Sequence, residues 1–176
     1  MNFIDLSHPI NEQMPVYPGG KKPVLKRLSD INKNGYRETG LTFHSHLGTH
    51  IDAPAHMLKD GKYLNQFPVS KFTGKAVIIE VPNGTKTISV EYLSQFNDDF
   101  DNSEFVLFYT GWGKYWKNER YFKDFPVLDM EAVNFLTSFN IKGVGVDAPS
   151  VDPVETKSWE VHYHLMKKDF IIIENL

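Results

Sequence analysis

The chain has 176 residues, which is enough for one ordinary domain with a sizeable apolar core and too few for two. Hydrophobic residues make up 41% of the sequence and charged residues 23%, as in globular proteins, which argues against a disordered or fibrous chain. The net charge is -3 and the basic residues are scattered, so the composition also argues against a nucleic-acid-binding protein.

The sequence contains no cysteine, which excludes disulfides, a thiolate nucleophile and cysteine-ligated zinc or iron–sulfur sites. No apolar stretch is long enough to span a bilayer. The first ten residues include Asp5 but no lysine or arginine, unlike a signal peptide. We therefore expect a cytoplasmic protein without a membrane partner.

The first half of the chain is predicted to form short extended segments that are separated by turns. These segments are residues 2–6, 24–28, 39–46 and 76–81, and Pro82-Asn83-Gly84 ends the last of them. This pattern is typical of antiparallel or irregular β structure.

After Ser89, predicted strands and helices alternate. Ser89 and Asp129 are each predicted to cap a short helix, and a further helix is predicted at residues 158–167. Strands are predicted at residues 105–109, 144–146 and 170–173. Alternating strands and helices favour parallel βαβ units, so the expected fold class is α/β with a mixed sheet.

A cluster of histidines lies at residues 44–56, which hold four of the seven histidines: His44, His46, His50 and His56. They and Asp52 occupy even positions, which share one face in an extended chain. A straight strand would separate His46 from His50 by about 13 Å, too far for ligands that each lie about 2.0–2.2 Å from one metal ion. We therefore expect a bend at Gly48, the residue at the midpoint.

Two other structures are possible for this segment. A helix would also bring His46 and His50 together, but Gly48, Thr49 and Pro54 oppose a helix here. Histidines on a β face can also form ordinary hydrogen bonds only. The combined spacing His-x3-His-x-Asp-x3-His favours a metal site over that alternative.

A second cluster lies late in the chain, where His162 and His164 are followed by Glu174. Glu174 comes directly after an apolar strand, and ligands of α/β sheets collect at the carboxyl ends of strands. One of the two histidines is expected to be a ligand and the other a bystander. The alternative is that a histidine on a helix and a glutamate at a strand end are ordinary surface residues that bind no metal.

These motifs resemble those of the putative cyclase family of metal-dependent hydrolases, which includes bacterial arylformamidases (kynurenine formamidases) and isatin hydrolases. The family signature His-x-Gly-Thr-His-x-Asp-x-Pro-x-His matches residues 46–56 at every specified position. Further family features occur at residues 5–10, 15–19, 110–112 and 145–153. The resemblance therefore covers essentially the whole chain.

The resemblance implies a single domain over residues 1–176 with a swivelling β/β/α fold, assembled as a homodimer or homotetramer. It also implies two divalent ions per subunit, Zn²⁺ or Mn²⁺. One ion would be bound by His46, His50 and Asp52, and the other by Asp52, His162 and Glu174. His56 occupies the position of the family's catalytic acid/base.

The expected activity is hydrolysis of a small-molecule amide by metal-activated water, as in the conversion of N-formylkynurenine to kynurenine and formate. Tyr17, Phe43, Phe67 and Trp112 are candidates for an apolar wall against the substrate. The alternatives are hydrolysis of a cyclic amide or lactone, as by isatin hydrolases, and a metal-binding protein without catalysis. Relatives generally continue with further strands beyond Glu174. We therefore expect a short member or a truncated chain, whose final strand is left with an unpaired neighbour that needs a partner.

Overall fold

The computed structural model describes residues 2–176. The strands are β1 (Val24–Ser29), β2 (Glu38–Thr42), β3 (His50–Asp52), β4 (Ala76–Glu80), β5 (Thr87–Ile88), β6 (Phe105–Tyr109), β7 (Val127–Leu128), β8 (Gly143–Val146) and β9 (Ile171–Glu174). The α-helices are α1 (Ile31–Asn34), α2 (Val90–Leu93), α3 (Asn97–Asp101), α4 (Met130–Leu136) and α5 (Glu160–Lys167). Short 3-10 turns connect several of these elements.

The main sheet has five strands in the order β3-β9-β8-β6-β4. Strands β4, β6, β8 and β9 run parallel, whereas β3 pairs antiparallel with β9. The predicted α/β class with a mixed sheet is therefore confirmed. In the first half of the chain, β1 and β2 form a separate antiparallel ribbon.

The core lies on one face of the main sheet. Ile79 of β4, Val106 and Phe108 of β6 and Val144 of β8 point into it, because alternate side chains of a strand face the same side. Helices α4 and α5 add buried side chains to the same cluster. Helix α4 begins as predicted, with the Asp129 side chain accepting a hydrogen bond from the Ala132 amide.

Two predicted extended segments differ from the structure. Residues 2–6 form no strand, and β2 ends at Thr42 instead of continuing to residue 46. The final strand, β9, lies between β3 and β8 and pairs with both, and its neighbour β3 is an edge strand that pairs with no other strand of residues 2–176. The antiparallel pairing of β9 with β3 could not be inferred from local sequence. Within residues 2–176, no helix combines the length and hydropathy that crossing a bilayer would need.

Candidate metal centre

The chain bends between His46 and His50, as the sequence predicts. Gly48 has φ +62°, in the left-handed region that glycine adopts without steric cost. The bend brings Nδ1 of His46 to 3.1 Å from Nε2 of His50. The Met14 side chain packs against the inside of the bend, so that a Cβ added to Gly48 would lie 2.7 Å from Met14 Cε.

Asp52 lies at the middle of the cluster and is only 1% exposed. Its Oδ1 is 2.7 Å from Nδ1 of His46 and 3.2 Å from Nε2 of His50. Its Oδ2 is 3.8 Å from Nε2 of His162. One carboxylate oxygen therefore faces His46 and His50, and the other faces His162.

Glu174 and His162 complete the cluster from elements far along the chain. The pairing of β3 with β9 sets His50 opposite Glu174, and their side chains approach to 3.6 Å between Nε2 and Oε2. Nε2 of His162, on α5, is 3.4 Å from Glu174 Oε1. The sheet and α5 thus bring together both predicted clusters, which are more than a hundred residues apart in sequence.

The donor set fits a divalent cation. Oδ1 and Oδ2 of Asp52 and Oε1 of Glu174 are buried, and imidazole nitrogens lie 2.7–3.8 Å from them without the geometry of a hydrogen bond. Buried charged oxygens without partners are costly, and carboxylates and imidazoles are ligands that Zn²⁺ and Mn²⁺ accept. Two overlapping sets each offer three ligand atoms within 4.8 Å of one another: His46, Asp52 and His56, and His50, Asp52 and Glu174.

The charges of the cluster also favour a cation. Burial opposes ionisation of Asp52, but contacts with His162, His46 and His50 outweigh it and lower the pKa of this carboxyl. Burial likewise opposes protonation of His50 and His162, but the neighbouring carboxylates raise the pKa of both imidazoles. Asp52 is therefore an anion at neutral pH, and a bound cation would compete with protons for the two histidines.

His56 lies at the edge of the centre, in a short 3-10 turn over Pro54–His56. Its ring centroid is 3.8 Å from that of His46 and 6.2 Å from that of His162. Partial burial lowers the pKa of His56, which keeps the imidazole neutral and able to accept a proton. Its distances allow both a ligand and a proton-transfer role.

Asp152 is a buried residue of the site to which the sequence pattern gave no role. Its Oδ2 is 2.6 Å from Nδ1 of His162, and it accepts hydrogen bonds from the backbone amides of Val161 and His162. This contact holds the His162 ring so that Nε2 faces Asp52 and Glu174. Carboxylates commonly orient metal-binding histidines in this way.

A cavity of about 450 Å³ opens beside the centre. Its aromatic wall consists of Tyr17, Trp116, Phe122 and Trp159. Of the four aromatic residues proposed from the sequence, only Tyr17 lines this cavity. Trp112 lies in the core, where its indole N–H donates to the Tyr121 carbonyl, and Phe43 and Phe67 lie outside the lining.

The two remaining histidines of the predicted clusters differ from their neighbours. His44 is exposed and lines the cavity but lies in neither of the two ligand sets. His164, on α5, is half-buried and does not line the cavity, whereas His162 is 2% exposed and does.

This chain is similar to known proteins both in sequence and in structure. The family model described as "Putative cyclase" matches residues 4–153. The kynurenine formamidase of Bacillus cereus is 33% identical over 175 residues, which is 99% of this chain and 81% of that protein. The kynurenine formamidase of Geobacillus thermodenitrificans is 30% identical over 176 residues, again 99% of this chain and 81% of that protein.

Solved structures share the fold. A potential metal-dependent hydrolase with cyclase activity is 27% identical, with a TM-score of 0.80 over 98% of this chain and 80% of that chain. Isatin hydrolase A from Labrenzia aggregata is 22% identical, with a TM-score of 0.86 over 98% of this chain and 79% of that chain. Because the family model and the formamidases cover nearly all of the sequence, this chain belongs to the putative cyclase family.

Proposed function

We propose that this protein is a metal-dependent amide hydrolase that cleaves an aryl formamide, and that N-formylkynurenine is the first substrate to test. The observation that carries this proposal is a buried His/Asp/Glu cluster that opens into an aromatic-lined cavity of about 450 Å³. The similarity to kynurenine formamidases over 99% of the chain supports the substrate class.

In this proposal His46, His50 and Asp52 hold one divalent ion, and Asp52, His162 and Glu174 hold a second. Zn²⁺ and Mn²⁺ both suit these nitrogen and oxygen ligands. Such ions would lower the pKa of a coordinated water from about 15.7 to near 7 and would polarise the amide carbonyl.

The chain's own residues then supply proton transfer and orientation. The aromatic wall packs against the aryl ring of the substrate and so orients the amide towards the metal centre. His56 accepts a proton from the attacking water and delivers it to the amide nitrogen. A C–O bond forms as the C–N bond breaks, so that the products are formate and an aryl amine.

The proposal is tested by metal analysis of purified protein, followed by assays with N-formylkynurenine, isatin and a lactone, with and without chelator. We expect bound metal and chelator-sensitive hydrolysis of the formamide. Turnover of isatin or the lactone alone would indicate the alternative substrate classes. Bound metal without any turnover would indicate a non-catalytic metal-binding protein.

The ligand assignment is tested by single alanine variants of His46, His50 and Asp52. Each should lose most of the bound metal, whereas His164→Ala, on the same helix as His162 but outside the cavity, should retain it. Unchanged metal content in the first three variants would reject the assignment.

We further propose that the chain forms one domain around its hydrophobic core and assembles as a homodimer or homotetramer. Phe3 and Ile4 are exposed, as are Val24, Leu28 and Leu41 of the β1–β2 ribbon. A two-stranded ribbon is marginally stable alone, and exposed apolar side chains favour a protein partner. Size-exclusion chromatography with light scattering tests this, and a monomer at micromolar concentration would contradict it.

A further inference from the structure

The Tyr17 hydroxyl is a buried polar group without a hydrogen-bond partner among residues 2–176. Tyr17 lines the cavity beside the candidate metal centre. Buried tyrosine hydroxyls normally find a partner, so an unpaired one on a cavity wall indicates a partner that comes from the bound molecule.

Two other polar groups on the same wall are already engaged. Ser150 Oγ accepts a hydrogen bond from the Asp152 amide, and Asn175 Oδ1 accepts one from the Tyr121 hydroxyl. These polar atoms accept hydrogen bonds from within the protein. The Tyr17 hydroxyl makes no such contact and remains free to bind a ligand.

Local structure holds Tyr17 in place. The Gly20 amide donates to the Tyr17 carbonyl at 2.8 Å, and Gly19 has φ +85°, as expected of a type II turn with Pro18 at its second position. The Tyr17 ring packs edge-on against Phe122, with centroids 6.1 Å apart, and lies 6.5 Å from Trp159. The hydroxyl is therefore positioned before any substrate binds.

Tyr17 lines the same cavity as His46, His50 and Glu174, and the charge of Glu174 acts on its phenol. Trp159, which packs beside Tyr17, also packs against His162, with ring centroids 5.8 Å apart. Burial, together with the negative charges of Glu174, Glu155 and Asp152, raises the pKa of Tyr17 to about 12. Both effects favour the protonated phenol, which is the form that donates a hydrogen bond.

We propose that the Tyr17 hydroxyl donates a hydrogen bond to the acyl oxygen of the bound amide and stabilises the negative charge that develops there during hydrolysis. This inference rests on the proposed amide hydrolase activity. A preorganised neutral donor at a developing oxyanion typically contributes about 10²–10³-fold to kcat.

Tyr17→Phe tests the proposal because it removes the hydroxyl and keeps the ring that packs on Phe122 and Trp159. We expect kcat for the formamide to fall about 100-fold, with little change in KM, metal content or Tm. Tyr163→Phe is the matched control, since Tyr163 is exposed on α5 and does not line the cavity. It should match the wild type in all four measurements.

A binding measurement makes the test independent of turnover. Phenylphosphonate carries tetrahedral anionic oxygens, whereas aniline has the ring without an acyl oxygen. By calorimetry on metal-loaded protein, Tyr17→Phe should bind phenylphosphonate at least about 10-fold more weakly than the wild type and should bind aniline equally well.

Three outcomes would overturn the role of Tyr17. These are no binding of phenylphosphonate to the wild type, equal weakening of both ligands, and an unchanged affinity for phenylphosphonate in Tyr17→Phe. Failure of the wild type to hydrolyse any formamide would instead reject the proposed function, and the phosphonate comparison would still decide whether Tyr17 contacts an oxyanion at the centre.

Discussion

His56 differs from the other histidines of the centre in its neighbours. His46, His50 and His162 each have a carboxylate oxygen within 4 Å of a ring nitrogen. Among the ion-pair contacts of residues 2–176, none involves His56, whose ring packs on that of His46 instead. A neutral imidazole beside the ligands, without a carboxylate partner, suits proton transfer better than metal binding.

We therefore expect His56→Ala to retain its metal and to lose about 10²–10⁴-fold in kcat. Metal content by mass spectrometry and kcat on the formamide should be measured on the same preparation. Loss of metal in step with activity would show that His56 is a ligand, which its place in one of the three-ligand sets allows. Turnover at the wild-type rate would also contradict the acid/base role.

Asp152→Asn tests how His162 is oriented. The neutral amide weakens the contact with Nδ1 of His162, and we expect the affinity for the second ion to fall by about 10–100-fold. Asp147→Asn is a matched control, because Asp147 is also buried and accepts from backbone amides, but at Thr110 and Trp112 instead of at a ligand. Both variants should lose stability in thermal unfolding. Equal metal affinities in the two variants would show that Asp152 has no special role.

At the scale of the elements, the sequence correctly predicted those features that depend only on residues close together in the chain. The apolar run at 105–109 became β6 with the same limits, and Asp129 caps α4. The extended pattern at 39–46 overran β2 by four residues, because the bend that leads to Gly48 already begins there. Strand propensity shows that a segment can be extended. It does not show at which residue the pairing with the neighbouring strand stops.

In the candidate site, too, local features could be predicted from the sequence, whereas contacts between distant segments could not. The even spacing of His46, His50 and Asp52 and the bend at Gly48 are local, and both could be read from the sequence. The support of His162 by Asp152 and the aromatic wall depend on contacts between loops and α5 that no local pattern contains. The antiparallel pairing of β9 with β3, which sets His50 opposite Glu174, also depends on the whole fold and could not be predicted from a local pattern.

Gly48→Ala tests the bend. A side chain in the left-handed region costs about 1–2 kcal/mol, and the new Cβ would lie 2.7 Å from Met14 Cε. We expect His46 to move away from His50 and the metal content to fall. Gly84→Ala is the control, since Gly84 has φ +86° and no neighbour within 4 Å of a Cβ. It should lose a similar stability and keep its metal, and equal metal content in the two variants would contradict a role for the bend.

At the scale of the whole molecule, the centre joins elements from both halves of the chain. Asp52 and His50 lie on β3, His162 on α5 and Glu174 on β9. The buried carboxylates Asp52, Asp152 and Glu174 gather around it. A cation bound there would connect the edge strand of the main sheet to the C-terminal helix and strand, so metal binding should be coupled to global stability.

We expect chelation to lower the midpoint of thermal unfolding and Zn²⁺ or Mn²⁺ to restore it. An ion at 100 times its Kd stabilises the native state by about 2.7 kcal/mol, which for a chain of this size corresponds to a rise in Tm of roughly 5–10 °C. Calorimetry on chelated protein, titrated with each ion, measures the shift. Asp52→Asn removes the carboxylate whose two oxygens face both sets of ligands, so its Tm should respond little to either ion. A wild-type Tm that is the same with and without metal would show that the centre binds no ion tightly in the folded protein.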